Sequence, residues 1–151
     1  MNKPVLFCYD GSDGSKTALT AAAELIKPAD AVVLVVWTPA AVQLARAGSF
    51  IVAVPNEGEI DDHEAATALL LAEEGAASAR SRGYNATARI AQADQSVVKT
   101  IDEIAREIDA GLVVCGQRGR GAIGSALLGS VSHALAAHTK RPVLIAPQHP
   151  S

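Results

Sequence analysis

Aromatic residues make up only 3% of this 151-residue chain, and that scarcity removes one class of function at once. Proteins that grip single strands of nucleic acid stack bases on aromatic side chains, and nucleic-acid binders in general carry a basic excess. Here the formal net charge is −3, so nucleic acid is not the expected partner. No apolar run approaches the ~18 residues that a membrane span requires. Met1-Asn2-Lys3-Pro4 leads straight into a strand-like segment, with neither the apolar stretch nor the cleavage site of a signal peptide. Cysteine is scarce too. Cys8 and Cys115 both sit inside apolar strand-like runs, as structural cysteines do in reducing compartments. The expectation is a soluble cytoplasmic protein.

What is present is ordinary globular material, 49% apolar and 19% charged, enough for one domain over residues 1–151 with a sizeable core. Val5–Tyr9 reads as a buried strand, and Asp10-Gly11-Ser12-Asp13-Gly14-Ser15 as a loop rich in helix caps. From about Lys16, Ala18, Ala22, Leu25 and Ile26 follow helical spacing until Pro28. Ala31–Trp37 is a continuous apolar run without alternation, the mark of a strand covered on both faces. Ala65, Leu69, Ala72, Ala76 and Ala79 predict the core stripe of a helix that opens at Asp61 and ends at Gly83. Tyr84–Ile90 alternates as a strand. Val97, Ile101, Ile104, Ala105 and Ile108 form a helix face, Leu112–Cys115 a fourth strand, Val131–Lys140 a helix, and Pro142–Pro147 a fifth strand at an edge. Strands alternating with helices imply an open parallel sheet with helices on both faces, a Rossmann-like α/β fold.

Two stretches resist this pattern. Thr38–Ile60 is punctuated by Pro39, Gly48, Pro55 and Gly58 around the apolar Phe50–Val54. It is either a lid or binding loop, or a surface excursion that packs on the domain or on a second subunit. Asp61-Asp62-His63-Glu64 suits the positive end of a helix dipole better than a metal site, because no second ligand cluster accompanies it.

The richest signal is Gly116–Ser130, GQRGRGAIGSALLGS, lying between a strand and a helix and containing glycines at 116, 119, 121, 124 and 129. Such a turn crowds backbone N–H groups together and suits an anion, most often phosphate. Gly119…Gly124 has the glycine spacing of a Walker A loop, but Ser125-Ala126 stands where Lys-Ser/Thr is needed. Gly119-x-Gly121-x2-Gly124 matches the dinucleotide fingerprint literally. It occurs in the wrong βα turn, however, and no acidic residue ends the following strand. The third spacing is Gly116-x2-Gly119-x9-Gly129-Ser130. Gly129-Ser130 places a capping hydroxyl and helix N–H groups at the positive end of a dipole. Arg118 and Arg120 either reach distal phosphates or remain solvated loop charges.

This third spacing, with the Asp10-Gly11-Ser12 turn, the Gly111–Gly116 approach, Leu128-Gly129-Ser130-Val131 and the closing Arg141–Ile145, resembles the universal stress protein family in its ATP-binding branch. The resemblance implies five parallel strands in the order 3-2-1-4-5, and a homodimer through the Pro142–Ala146 edge. It also implies an adenine nucleotide, ATP or its AMP and ADP relatives, with Mg²⁺ held through the phosphates. By position, Gly116, Gln117, Arg118, Gly119 and Gly129 would supply backbone around ribose and phosphates. Ser130 and Val131 would donate to phosphate, Asp10 would contact the nucleoside, and the backbone around Trp37 would meet the adenine. Cys8 stands where the family often has a small residue or proline.

Chemistry beyond binding finds little support. Asp13, His133 and His138 are the candidate acid–base groups, and the two histidines do not share a helix face at ligand spacing. Cys8 and Cys115 read as inert thiols on neighbouring strands, with a redox role as the alternative. The expected function is regulatory: nucleotide occupancy would order Gly116–Ser130 and change the surface shown to an unknown protein partner. The alternatives are a weak ATPase and a nucleotide-free dimerisation module.

Overall fold

The computed structural model describes residues 2–48, 54–119 and 128–148. Its elements run β1 (Val5–Cys8), α1 (Asp13–Leu25), β2 (Asp30–Trp37), α2 (Ala40–Arg46), α3 (Glu57–Ser81), β3 (Asn85–Gln92), α4 (Val97–Glu107), β4 (Leu112–Gly116), α5 (Ser130–His138) and β5 (Val143–Ala146). The five strands form one parallel sheet in the order β3-β2-β1-β4-β5, as expected. β1 is central: Val5 lies opposite Ala31 of β2 on one side and Leu112 of β4 on the other. Chain order therefore reverses between β1 and β4, and their carboxyl ends part to leave a crevice.

Period-2 alternation sends the strand residues into two separate cores. Val5, Phe7, Tyr9, Val33, Val35 and Val114 face α1 and α3. Leu6, Leu34, Val113 and Cys115 face α4 and α5, packing on Ile101, Ile104, Ala105 and Leu135. The first core is lined on its helical side largely by alanines, including Ala18, Ala22, Ala72, Ala76 and Ala79. A Cβ on Gly75 would lie 2.7 Å from Val33 Cγ1 and 3.0 Å from the Tyr9 ring, so α3 rides directly on the sheet.

Several boundaries differ from the sequence expectation, each for a local reason. α1 starts at Asp13 rather than about Lys16, because Ser12 Oγ accepts from Ser15 N–H at 3.2 Å and caps it. Part of Thr38–Ile60 is regular: α2 occupies Ala40–Arg46, and α3 begins at Glu57 after Asn56 takes a left-handed φ of 57°. Of that segment's apolar middle, Phe50–Val54, residues 50–53 lie outside the described residues, and Val54 C=O accepts from Glu57 N–H at 3.3 Å. No group of three or more metal-ligating side chains occurs among the described residues, and Asp61 Oδ1 accepts from Ala40 N–H at 2.9 Å and holds the first turn of α2. The buried stripe of α3 is Ala68, Ala72, Gly75, Ala76 and Ala79, leaving Leu69 at 47% and Leu70 at 74% exposure. A leucine would not fit where α3 lies so close to the sheet. No described helix is long and apolar enough to cross a membrane.

Candidate functional site

The crevice between the carboxyl ends of β1 and β4 is bounded by two turns. The first is tied to itself. Asp10 Oδ1 accepts from Ser12 N–H at 2.9 Å and from Ser12 Oγ at 2.5 Å, while Ser15 Oγ donates to Ser12 C=O at 2.9 Å. Gly11 makes the bend possible with φ 77°. These bonds hold the Asp10 carboxylate at the rim instead of leaving it to swing in solvent.

The second turn is anchored to α5 and β5. Gln117 N–H donates to Ala146 C=O at 2.8 Å, which carries the chain past β5. Gln117 C=O accepts twice, from Gly129 N–H at 2.7 Å and from Ser132 Oγ at 2.8 Å. The start of α5 is thereby fastened to the end of β4. Gly129 is the N-cap of α5, without a side-chain cap bond, and Ser130 is the first helical residue, exposed. The capping hydroxyl expected of Ser130 is thus not used as one. The fastening hydroxyl is Ser132, which also donates to Gly129 C=O at 3.1 Å. A helix's first N–H groups lack intrahelical acceptors, so α5 presents donors and the positive end of its dipole at this rim.

The two turns touch backbone to backbone. A Cβ on Gly116 would lie 2.6 Å from the Gly14 carbonyl, and one on Gly14 would strike the Arg118 carbonyl oxygen. A Cβ on Gly119 would sit 2.7 Å from Asp10 Oδ2, so the carboxylate rests against bare backbone. These glycines are needed for close approach, since none has positive φ. The contact closes one side of the crevice and leaves a cleft of about 420 Å³ on the α4/α5 face. Its inner wall is apolar, from Leu34, Val36, Val97 and Ile101, and its mouth is polar, from Asp10, Ser15, Arg118 and Ser130. The Nε of Arg118 is buried and has no hydrogen-bond partner among the described residues. A buried guanidinium donor left unmatched costs free energy and is suited to an incoming anion.

Nine of the expected site residues line this cleft together: Cys8, Asp10, Gly116, Gln117, Arg118, Gly119, Gly129, Ser130 and Val131. Trp37 does not. It ends β2, but its side chain packs with the α1/α3 core on the opposite face of the sheet, and its C=O accepts from Ala93 N–H at 2.8 Å. Arg120, with Gly121 and Gly124, lies outside the described residues. Sequence reasoning passed over Gly14, Ser15, Val36 and Ser132. For Val36 a usable signal existed: alternation from the buried Leu34 puts Val36, not Trp37, on the α4/α5 face. Asp13, His133 and His138, the candidate acid–base groups, are exposed and do not line the cleft.

The inner wall disfavours negative charge. Burial, with the nearby Cys115 and Asp10, pushes the Cys8 thiol well up, and burial pushes Cys115 up to about 11. Both are therefore protonated at neutral pH. Tyr9, whose ring backs the first turn, donates to Glu74 Oε1 at 2.7 Å; its pKa is raised, first by burial and then by that bond.

A sequence model of the universal stress protein family matches residues 1–147. The chain belongs to the universal stress protein family. A curated universal stress protein of Mycobacterium tuberculosis (strain CDC 1551 / Oshkosh) is 44% identical over 54 residues, 36% of this chain and 16% of that relative's length. Solved structures share the fold over almost the whole chain. A universal stress protein family member from Burkholderia pseudomallei aligns with TM-score 0.72 at 23% identity, covering 96% of both chains. The universal stress protein from Archaeoglobus fulgidus in complex with dAMP gives 0.61 at 22%, over 96% of this chain and 97% of that one. A family protein from Arabidopsis thaliana with AMP bound gives 0.62 at 17%, over 97% and 92%.

Proposed function

We propose that this universal stress protein is a regulatory adenine-nucleotide-binding protein of the ATP-binding branch, taking ATP, ADP or AMP in the cleft between its two touching turns. The observation that carries the reading is the pairing of a buried, unmatched Arg118 Nε with the N-terminus of α5 at one mouth. Two kinds of anion donor converge in a cleft of about 420 Å³ that also has an apolar wall. Ser130, Val131 and the backbone of Gly116–Gly119 face the phosphates in this reading, with Mg²⁺ arriving through the phosphates alone. Asp10, fixed by Ser12, accepts from ribose hydroxyls. Leu34, Val36, Val97 and Ile101 receive the base, in place of the wall around Trp37. That two solved relatives carry dAMP and AMP supports the choice of adenine.

In this reading residues 1–151 act as one cytoplasmic domain. A homodimer forms through the Pro142–Ala146 edge, and nucleotide occupancy changes the conformation offered to a protein partner in a stress response. Turnover is at most slow in this reading: Asp13, His133 and His138 stand outside the cleft, and Asp10, the described carboxylate that lines it, is engaged by Ser12. Two measurements test this. Nucleotide analysis of the purified protein should find adenine nucleotide, and calorimetric titration should rank ATP and AMP above NAD. Preference for NAD would restore the dinucleotide reading, no binding at all would leave a dimerisation module, and many ATP turned over per protein each minute would make it an ATPase.

A further inference from the structure

Beyond nucleotide binding, the inner wall of the cleft holds a pair of thiols. Cys8 and Cys115 each follow directly on the last register pair of β1 and β4, Phe7 opposite Val114, so they occupy adjacent positions on neighbouring parallel strands. Both belong to the α4/α5 face and both line the cleft. Neither is in a disulfide. Parallel strands lie roughly 4.8 Å apart, so side chains from the same face stand side by side at about that spacing. That separation suits two sulfurs flanking one ion in a near-linear arrangement.

We propose that Cys8 and Cys115 form a two-sulfur site for a soft monovalent d¹⁰ cation, copper(I) or its surrogate silver(I), at the apolar end of the cleft. Thiolate donors select soft ions. The donor number narrows the choice further, because structural zinc takes four ligands and no cluster of three or more metal-ligating side chains exists among the described residues. The ion's positive charge offsets one of the two negative charges its thiolate ligands acquire. The complex keeps a single net negative charge, set against the burial of both thiols and the Asp10 carboxylate near Cys8, and the strength of soft-metal–sulfur bonding has to exceed that cost. Binding is a proton exchange without oxidation: both S–H bonds break, two S–metal bonds form, and two protons leave to solvent.

The site is tested on the full chain, without air and without nucleotide, by titrating copper(I) against a chromogenic copper(I) chelator, with silver(I) as a redox-silent control. One equivalent should bind, with a thiolate-to-metal absorption band in the near ultraviolet. Cys8→Ser and Cys115→Ser, checked for folding by circular dichroism, should each weaken binding by roughly 100-fold or more. X-ray absorption on the unaltered protein should count two sulfur neighbours, which keeps the test valid if either variant fails to fold. Retention of tight binding by a folded single-cysteine variant would overturn the proposal. So would zinc binding as tightly as copper(I), nitrogen or oxygen neighbours in place of the sulfurs, or loss of 2 Da instead of bound metal. Because no nucleotide is present, these outcomes are independent of whether AMP or ATP binds.

Discussion

The two faces of the sheet are built from different materials. On the α1/α3 face, alanines and Gly75 let the helices lie close on the strands, and Phe7 meets Tyr84 edge-on with centroids 5.3 Å apart. On the α4/α5 face, larger branched side chains hold the helices, and past the strand ends that packing stops, leaving the cleft. Near-solid packing on one side supports an opening on the other. The lesson is a division of labour: substitutions on the closed face should change stability and leave ligand affinity alone, whereas substitutions at the turns should lower affinity, with stability reduced as well where a helix cap such as Ser12 is lost.

The largest effect expected is from the closed face. Phe7→Ala removes a side chain 2% exposed and its ring contact with Tyr84, and should cost about 3–5 kcal/mol in urea denaturation. Nucleotide affinity of the remaining folded protein should stay within about twofold, a factor worth under 1 kcal/mol. A large affinity loss would show that the faces are coupled.

The open face supplies the next effect, through pH. Cys115 has its thiol raised from 9.0 to about 11 in the folded state, so the unfolded chain loses its proton first as pH rises. The stabilisation is complete below pH 9 and disappears as pH climbs through 11, about 2–3 kcal/mol from this group. Cys115→Ala should flatten that part of the stability curve. An unchanged alkaline slope would contradict the assignment.

Gly119→Ala should act at the rim. Its Cβ would lie 2.7 Å from Asp10 Oδ2 and displace a carboxylate held by Ser12. We expect nucleotide affinity to fall by about tenfold, or 1.4 kcal/mol, with the melting temperature moved by no more than ~4 °C. Smaller again is Ser12→Ala, which removes the cap of α1 and should cost about 1 kcal/mol. Because Ser12 also holds Asp10, a slight affinity loss should accompany it.

The open parallel sheet was legible in the residues themselves, whereas the strand order and the pairing of the first turn with the glycine stretch came from the resemblance to the universal stress protein family. Uninterrupted apolar runs such as Ala31–Trp37 require cover on both faces, and alternation of strands and helices leaves few topologies. What escaped was set by distance rather than pattern. Leu69 fits a helical stripe, yet α3 approaches so closely that only Ala68, Ala72, Gly75, Ala76 and Ala79 fit beneath it. Trp37 entered by position, as backbone beside the adenine implied by the resemblance, but the pleat turns its side chain to the α1/α3 core and gives the cleft to Val36. Gly14 showed no motif at all; its importance is contact with the Arg118 carbonyl, about a hundred residues away in sequence and visible only in three dimensions.

The central claim is that the turns at Asp10–Gly14 and Gly116–Gly119, with the start of α5, bind an adenine nucleotide. Calorimetric titration of ATP into the unaltered protein and into the double variant Gly129→Ala, Ser130→Ala tests it most directly. The account predicts one nucleotide per chain for the first and a loss of about tenfold or more for the second, if that variant is still folded by circular dichroism. Equal ATP affinity in the two folded proteins would contradict it.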